Sequence, residues 1–191
     1  MVRTQNRPLV TGALTPRAAM IFAIALEIVA FLVLWAGANL LAAVLAVSAT
    51  LFYVFVYSLW LKRTSKQNIV IGGAAGAMPV LVGWAAVTNS LGWAPVVLFV
   101  VIFLWTPPHF WALAIRHADD YKAAGVPMMP VVVSLERTIR SMTTYAVLLT
   151  LSTLVLVPVA DLGWVYGITA MVFGVAFVIG SVRLGSDPSP K

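Results

Sequence analysis

Six apolar runs, each about as long as the roughly 20 helical residues that cross a bilayer, leave this chain few ways to fold. They lie near 18–36, 39–60, 69–88, 93–115, 142–160 and 164–184. The expected architecture is an all-α, polytopic transmembrane helix bundle, built as one unit without a linker. Composition excludes an ordinary soluble domain: apolar residues make up 62% of 191 and charged residues 9%, against about 45–50% and 25% in soluble domains. The chain has no cysteine, so no disulfide or thiolate metal site carries structure or chemistry.

The net charge of +6 is a matter of topology. Arg3, Arg7 and Arg17 precede the first run, and Lys62, Arg63 and Lys66 come after the second. Arg116, Lys122, Arg137 and Arg140 come after the fourth, and Arg183 and Lys191 end the chain. The intervening turns near Asn39, Asn89 and Asp161 carry none. All 12 basic residues therefore fall on one side, which the positive-inside rule makes cytoplasmic, with both termini inside. These charges form no continuous basic face, so a nucleic-acid partner is not expected. The opening residues are polar and contain no apolar core like that of a cleavable signal peptide.

Polar groups cluster at the cytoplasmic ends of the runs, where ionisable residues of a membrane protein are functional candidates. Lys62 and Arg63 close the second run with Tyr57 one turn inside. They are ordinary topology anchors or, alternatively, a diphosphate grip, which Arg makes in bidentate fashion and Lys as a point charge. Arg3 and Arg7 are placed to join them, and Asn68 opens the third run. Gly72 and Gly76, four residues apart, predict a close-packing face for a neighbouring helix. Glu27 lies mid-run, where charge is costly, and is expected to face the bundle interior or be protonated.

Pro107 and Pro108 remove two backbone donors from the fourth run and are expected to kink it. His109 is next in the chain, roughly 10 Å from the cytoplasmic end at 1.5 Å per residue. It is either an interhelical hydrogen-bonding group or an axial ligand to haem iron. Phe110 and Trp111 offer flat apolar surface for a porphyrin or are interfacial belt residues. In the segment 116–141, His117 to Ala124 can continue the preceding helix, Gly125 suits a stop, and Pro127 and Pro130 oppose a restart. A continuous helix would set His109, Arg116 and Asp120 on one stripe. Asp119 and Asp120 are the only carboxylates close together. They are solvated charges beside Arg116 and Lys122, or ligands of Mg²⁺, which takes one or two carboxylates with substrate phosphates. Adjacent helical residues do not share a face, and Asp120 is the favoured ligand.

In sequence order, the chain carries Tyr57-Ser58-Leu59-Trp60-Leu61-Lys62-Arg63, Asn68-Ile69-Val70-Ile71-Gly72-Gly73 and Trp105-Thr106-Pro107-Pro108-His109-Phe110-Trp111. Asp119-Asp120-Tyr121 and Val126-Pro127-Met128-Met129-Pro130-Val131 complete the series. Together they resemble the protohaem IX farnesyltransferases (haem O synthases) of the intramembrane, UbiA-type prenyltransferase superfamily. The resemblance is close from Met1 to about Val133, and the last two runs match in hydrophobicity alone. It implies a helical bundle with a central apolar cavity open to the cytoplasm and Mg²⁺ held by two aspartate-rich motifs. It also implies transfer of the farnesyl group of farnesyl diphosphate to a vinyl group of haem B, which is a substrate, giving haem O in the cell membrane. Haem A synthase or a terminal-oxidase assembly is the implied protein partner. On this reading Asp119, Asp120, Lys62 and Arg63 serve catalysis, the two aspartates holding the metal. Arg7, Tyr57, Asn68, His109, Arg116 and Tyr121 bind substrate.

The chain also departs from that family. Its members have about nine spans, and the stretch from Met1 to Leu9 resembles the segment directly after their first aspartate-rich motif. That motif, two preceding helices and a last helix beyond Lys191 are missing, so the chain is expected to be truncated at both ends and inactive alone. Where related enzymes have a second aspartate four before Asp120, this chain has Arg116. Two other readings stand beside the first: a prenyltransferase acting on a quinone precursor, and a non-catalytic transporter or membrane scaffold. The Pro107-Pro108-His109-Phe110-Trp111 run opposes the former, and the lack of an inverted repeat opposes the latter.

Overall fold

The computed structural model describes residues 5–186, with side chains to Leu184; Arg3 and Lys191 lie outside the described residues. Within it six helices are long and apolar enough to cross a membrane. They are α1 (Pro16–Gly37), the continuous span Leu40–Thr64, α4 (Asn68–Thr88), α5 (Trp93–Arg116), α8 (Leu135–Val159) and α9 (Trp164–Ser186). The second span consists of α2 (Leu40–Leu51), a π-helical stretch Phe52–Leu61 and a last turn, α3 (Lys62–Thr64). Two short helices, α6 (Ala118–Ala123) and α7 (Met129–Val132), lie between α5 and α8.

Each span packs chiefly on its sequence neighbours, in the order α1, α2, α4, α5, α8, α9. Consecutive spans reverse direction, so the segments 62–67 and 117–134 share one end of the bundle. Turn chemistry sets the other end. Asn39 caps α2 through Oδ1, which accepts from the Ala42 amide at 2.9 Å, and its Nδ2 donates to the Ala85 carbonyl at 2.6 Å. One side chain thus starts α2 and ties it to the last turn of α4. Asn89 ends α4 in the left-handed conformation, φ 49°, which Asn tolerates better than most residues.

Buried side chains are few because lipid replaces most of the core. Helix α1 buries none of its residues. Glu27 is half-exposed, on the face of α1 that carries its other partly buried residues, Ala19, Phe31 and Leu34, and it makes no ion pair or side-chain hydrogen bond among the described residues. The densest packing lies where α5 and α8 meet the short helices. Trp111, Met129, Ile139 and Met142 form one buried cluster, and Ile69, Ala114 and Met128 another.

The segment after α5 corrects three expectations. Helix α5 stops at Arg116, and His117 leaves the helical region at φ −115°, ψ 28°, so α6 is a separate turn. The proposed stripe of His109, Arg116 and Asp120 is therefore broken. Gly125 ends α6 at φ 63°, as expected, but α7 restarts at Met129 with Pro130 in its first turn. A proline there loses an N–H that has no helical partner in any case. Helix α8 begins at Leu135, earlier than the apolar run suggests. Ser134 caps it by accepting from the Arg137 amide, and Glu136 pairs with Arg140 one turn on at 3.1 Å. Two polar helical turns hide from a hydropathy reading.

Candidate active site

The second span and α4 meet at a three-residue turn, Ser65–Gln67, which brings the end of one helix beside the start of the next. In the π-helical stretch the Lys62 amide donates to the Tyr57 carbonyl, five residues back. Such wide turns are frequent at functional sites. Tyr53 and Tyr57 lie against one another at 5.3 Å between ring centres. The Tyr57 ring rests on Gly72 of α4 so closely that a Cβ there would overlap it. Gly73 is constrained less severely by Thr106 of α5, whose Cγ2 would lie 3.0 Å from an added Cβ. At Gly76 no atom lies within 4 Å of that position. The close-packing pair is therefore Gly72 and Gly73, and Gly76 instead faces open space. The expectation of a Gly72/Gly76 face is corrected accordingly.

That open space is a cavity of about 500 Å³ between the second span, α4 and α5. Tyr53, Tyr57, Gly72, Gly73, Gly76, Trp105, Thr106 and Phe110 wall it, and its surface is mainly apolar. At the end carrying the 62–67 turn it meets a second cavity of about 360 Å³, the two sharing Tyr57, Ile69 and Phe110. The second cavity is lined by Arg7, Lys62, Arg63, Asn68 and Tyr121 as well. Six residues singled out in the sequence thus converge from four segments: Arg7, Tyr57, Lys62, Arg63, Asn68 and Tyr121.

The electrostatics of this cleft favour an anion. Arg7, Lys62 and Arg63 have no carboxylate partner among the described residues, where the ion pairs are Glu136–Arg140 and His117–Asp120. Helix α4 begins beside them with no side-chain cap. A helix N-terminus with free amides and a positive dipole end attracts phosphate groups. Asn68, the first residue of α4, is 1% exposed, and neither Oδ1 nor Nδ2 has a hydrogen-bond partner among the described residues. Unpaired polar atoms of this kind are rare in interiors.

The other candidates lie outside the cleft lining. Arg116 is exposed in the last turn of α5. Asp119 is exposed, and Asp120 is half-exposed with Oδ2 3.9 Å from Nδ1 of His117. Both precede Tyr121, which does line the cleft. No group of three metal-ligating His, Cys, Asp or Glu side chains occurs among the described residues. Two carboxylates still match the small protein share of a Mg²⁺ shell completed by substrate phosphates. His109 is exposed and lines neither cavity; it stacks on Trp105 at 4.2 Å and 18°. Phe110 lines both cavities, but Trp111 is 1% exposed in the core, edge-on to Tyr145 at 5.7 Å. The paired porphyrin surface expected of Phe110 and Trp111 is thereby corrected. Successive helical positions point about 100° apart, and these two part company at the bundle wall. Tyr53 and Trp105 also wall the cavity, which the sequence does not announce; Tyr53 falls four residues before Tyr57, the one spacing that hints at it.

Comparison with known proteins shows the family. The chain is 52% identical over 191 residues to a protohaem IX farnesyltransferase of Gloeobacter violaceus, covering 100% of this chain and 63% of that one. A protohaem IX farnesyltransferase of Parafrankia sp. is 53% identical over 186 residues, with 97% and 59% covered. One of Frankia casuarinae is 50% identical over 196 residues, with 100% and 68% covered. The chain thus spans 63% and 59% of the length of the first two relatives. No solved structure matches it. The profile of the UbiA prenyltransferase family matches residues 1–191, and the chain belongs to that family.

Proposed function

We propose that the chain carries the diphosphate and prenyl sites of a protohaem IX farnesyltransferase, which joins farnesyl diphosphate to a vinyl group of haem B. One observation supports this above the rest: a cationic cleft, uncompensated among the described residues, opens directly into an apolar cavity between transmembrane helices. An amphiphile with a diphosphate head and an isoprenoid tail has that shape and polarity. Lys62, Arg63 and Arg7 hold the head, with Asn68 and the uncapped start of α4 beside them. The tail runs past Tyr57 and Phe110 towards Gly76.

Cleavage of the allylic C–O bond leaves its electron pair on the diphosphate. Cationic groups fixed around the developing charge stabilise that transition state more than the ground state. Asp119 and Asp120 would hold Mg²⁺ on the diphosphate, where the metal supplies further neutralisation of the leaving group. Tyr53, Tyr57 and Phe110 shield the allylic cation from water. A vinyl carbon of haem B donates the electron pair of the new C–C bond, and water captures the cation left on the tetrapyrrole. Charge distribution supports a cytoplasmic cleft, with both ends of the chain on the same side. Single cysteines introduced into the cysteine-free chain at Lys62 and Asn89 test that: an impermeant thiol reagent added outside intact cells should label only Asn89→Cys, and the opposite pattern contradicts the orientation.

The reaction is tested with purified protein in lipid nanodiscs given farnesyl diphosphate, Mg²⁺ and either haem B or a hydroxybenzoate. The 191 residues alone are expected to bind farnesyl diphosphate, and diphosphate release with a farnesylated haem is the outcome expected once they are joined to the further length that the relatives carry. Farnesylation of the hydroxybenzoate alone would support a quinone-precursor enzyme instead. Failure to bind farnesyl diphosphate would favour a transporter or scaffold.

A further inference from the structure

The apolar cavity has a far end as well as a mouth. Tyr57, Ile69 and Phe110 mark the mouth, since they also border the cationic cleft. Farthest from it along each helix are Ala49 on the second span, Gly76 on α4 and Ile102 on α5. Along α5 the lining runs from Phe110 back to Ile102, a depth of about 12 Å at 1.5 Å per residue. An extended isoprene unit advances about 5 Å, through four carbon–carbon bonds of about 1.5 Å each. The cavity therefore holds about two to three units, and a fourth must go elsewhere.

The nearest space is a neighbouring cavity of about 600 Å³ between α5, α8 and α9, with no charged residue in its lining. Ile102 and Trp105 border both cavities. Three residues apart, these two lie on one face of α5. Thr106 lines the first cavity alone and Val101 the neighbouring one alone. The two spaces thus meet along that face, and a ridge of two side chains divides them. The ridge is braced. His109 stacks on the Trp105 indole at 4.2 Å and 18°, and Phe110 meets the imidazole edge-on at 5.2 Å.

We propose that Trp105 is a chain-length determinant: with Ile102 it closes the tail cavity against its neighbour, so that a farnesyl chain fits and a fourth isoprene unit meets the indole. This rests on the reading of the cleft and its apolar extension as the prenyl diphosphate site. The indole is the larger part of the ridge. Removing it joins about 500 Å³ to about 600 Å³ and gives a longer tail an apolar place to go. Trp105 thereby selects the prenyl donor, whatever the acceptor.

The test titrates farnesyl and geranylgeranyl diphosphate into the full chain in nanodiscs by calorimetry. The readout is the ratio of geranylgeranyl to farnesyl affinity, taken relative to the wild type so that partitioning of each tail into the bilayer cancels. In Trp105→Ala the ratio should rise about tenfold or more, the usual penalty of forcing extra carbons against packed side chains being removed. Ile102→Ala, a smaller breach of the same ridge, should raise it less, and it carries the test if Trp105→Ala does not fold. Ala170 lines the neighbouring cavity, so Ala170→Phe fills that space. Alone it should leave the ratio unchanged, and combined with Trp105→Ala it should return the ratio to the wild-type value. A ratio within about twofold of wild type in both ridge variants would overturn the proposal. So would a gain in Trp105→Ala that survives the added Ala170→Phe, because the longer tail would then lie elsewhere. A wild type that binds neither farnesyl diphosphate nor inorganic pyrophosphate would overturn the prenyl diphosphate reading itself.

Discussion

Helix α5 separates two cavities of similar size and very different character. One, about 500 Å³, lies against the second span and α4; the other, about 600 Å³, lies against α8 and α9. Ile102 and Trp105 border both. The second is lined by Thr150, Thr153, Tyr166, Thr169, Phe173 and Phe177 among others, with no charged residue. Its hydroxyls are already engaged: Thr150 and Thr169 donate to carbonyls one turn back, and Tyr166 donates to the Thr153 carbonyl at 3.2 Å. Nothing polar there awaits a ligand. The first opens onto three unpaired cations, an uncapped helix and an unpaired amide among the described residues. Volume does not distinguish a substrate site from a lipid-filled gap between helices; unmet polar demand does.

That contrast breaks most readily at the cations. Replacing both Lys62 and Arg63 with alanine should lower pyrophosphate affinity by about 100-fold, since each charge-assisted hydrogen bond is worth about 1.5 kcal/mol or more. Raising the salt concentration should weaken the wild type far more than the double variant. Unchanged calorimetric affinity would remove the cleft from the account.

Glycines sharpen the comparison next. An added Cβ at Gly72 would strike the Tyr57 ring, and one at Gly174 would strike Thr150 across the α8–α9 contact. Gly72→Ala and Gly174→Ala should each destabilise the protein by about 1–3 kcal/mol, the usual cost of overpacking. Thermal unfolding should find them alike, and pyrophosphate titration of the folded fraction should find only Gly72→Ala impaired. Equal impairment of both would mean that binding follows global stability.

The smallest effect concerns the tail. Gly76→Phe projects a ring into the first cavity without meeting protein atoms at its Cβ. Farnesyl diphosphate affinity should fall by about tenfold through loss of apolar burial at about 25 cal/mol per Å², while pyrophosphate affinity stays within about twofold. A parallel loss of both would show that Gly76 does not adjoin the tail.

Much of this is legible in the sequence, and the remainder is hidden for identifiable reasons. Six spans and their single basic side come from run length and charge, because a bilayer sets the length of a helix and the sidedness of Lys and Arg. Tyr57, Lys62, Arg63 and Asn68 meet because one short turn joins their helices, a local relation that sequence proximity reports. Arg7 and Tyr121 arrive from other segments; the basic N-terminal stretch hints at Arg7, and only family resemblance points to Tyr121. The division between Phe110 and Trp111 depends on which side of α5 the α7–α8 cluster occupies, a tertiary fact that two neighbouring aromatics cannot signal. The π-helical stretch, the break at His117 and the polar start of α8 escape a sequence reading for one reason: hydropathy measures burial in lipid, and these features are set by backbone hydrogen bonding.

A photoreactive farnesyl diphosphate analogue, activated in nanodiscs and mapped by peptide mass spectrometry, tests the central claim most directly. Adducts should fall on residues 49–76 and 102–110, the walls of the first cavity, and excess pyrophosphate should suppress them. Adducts confined to residues 149–177, or labelling of either cavity that pyrophosphate does not suppress, would contradict the assignment of the cation-lined cleft and its apolar extension as the substrate site.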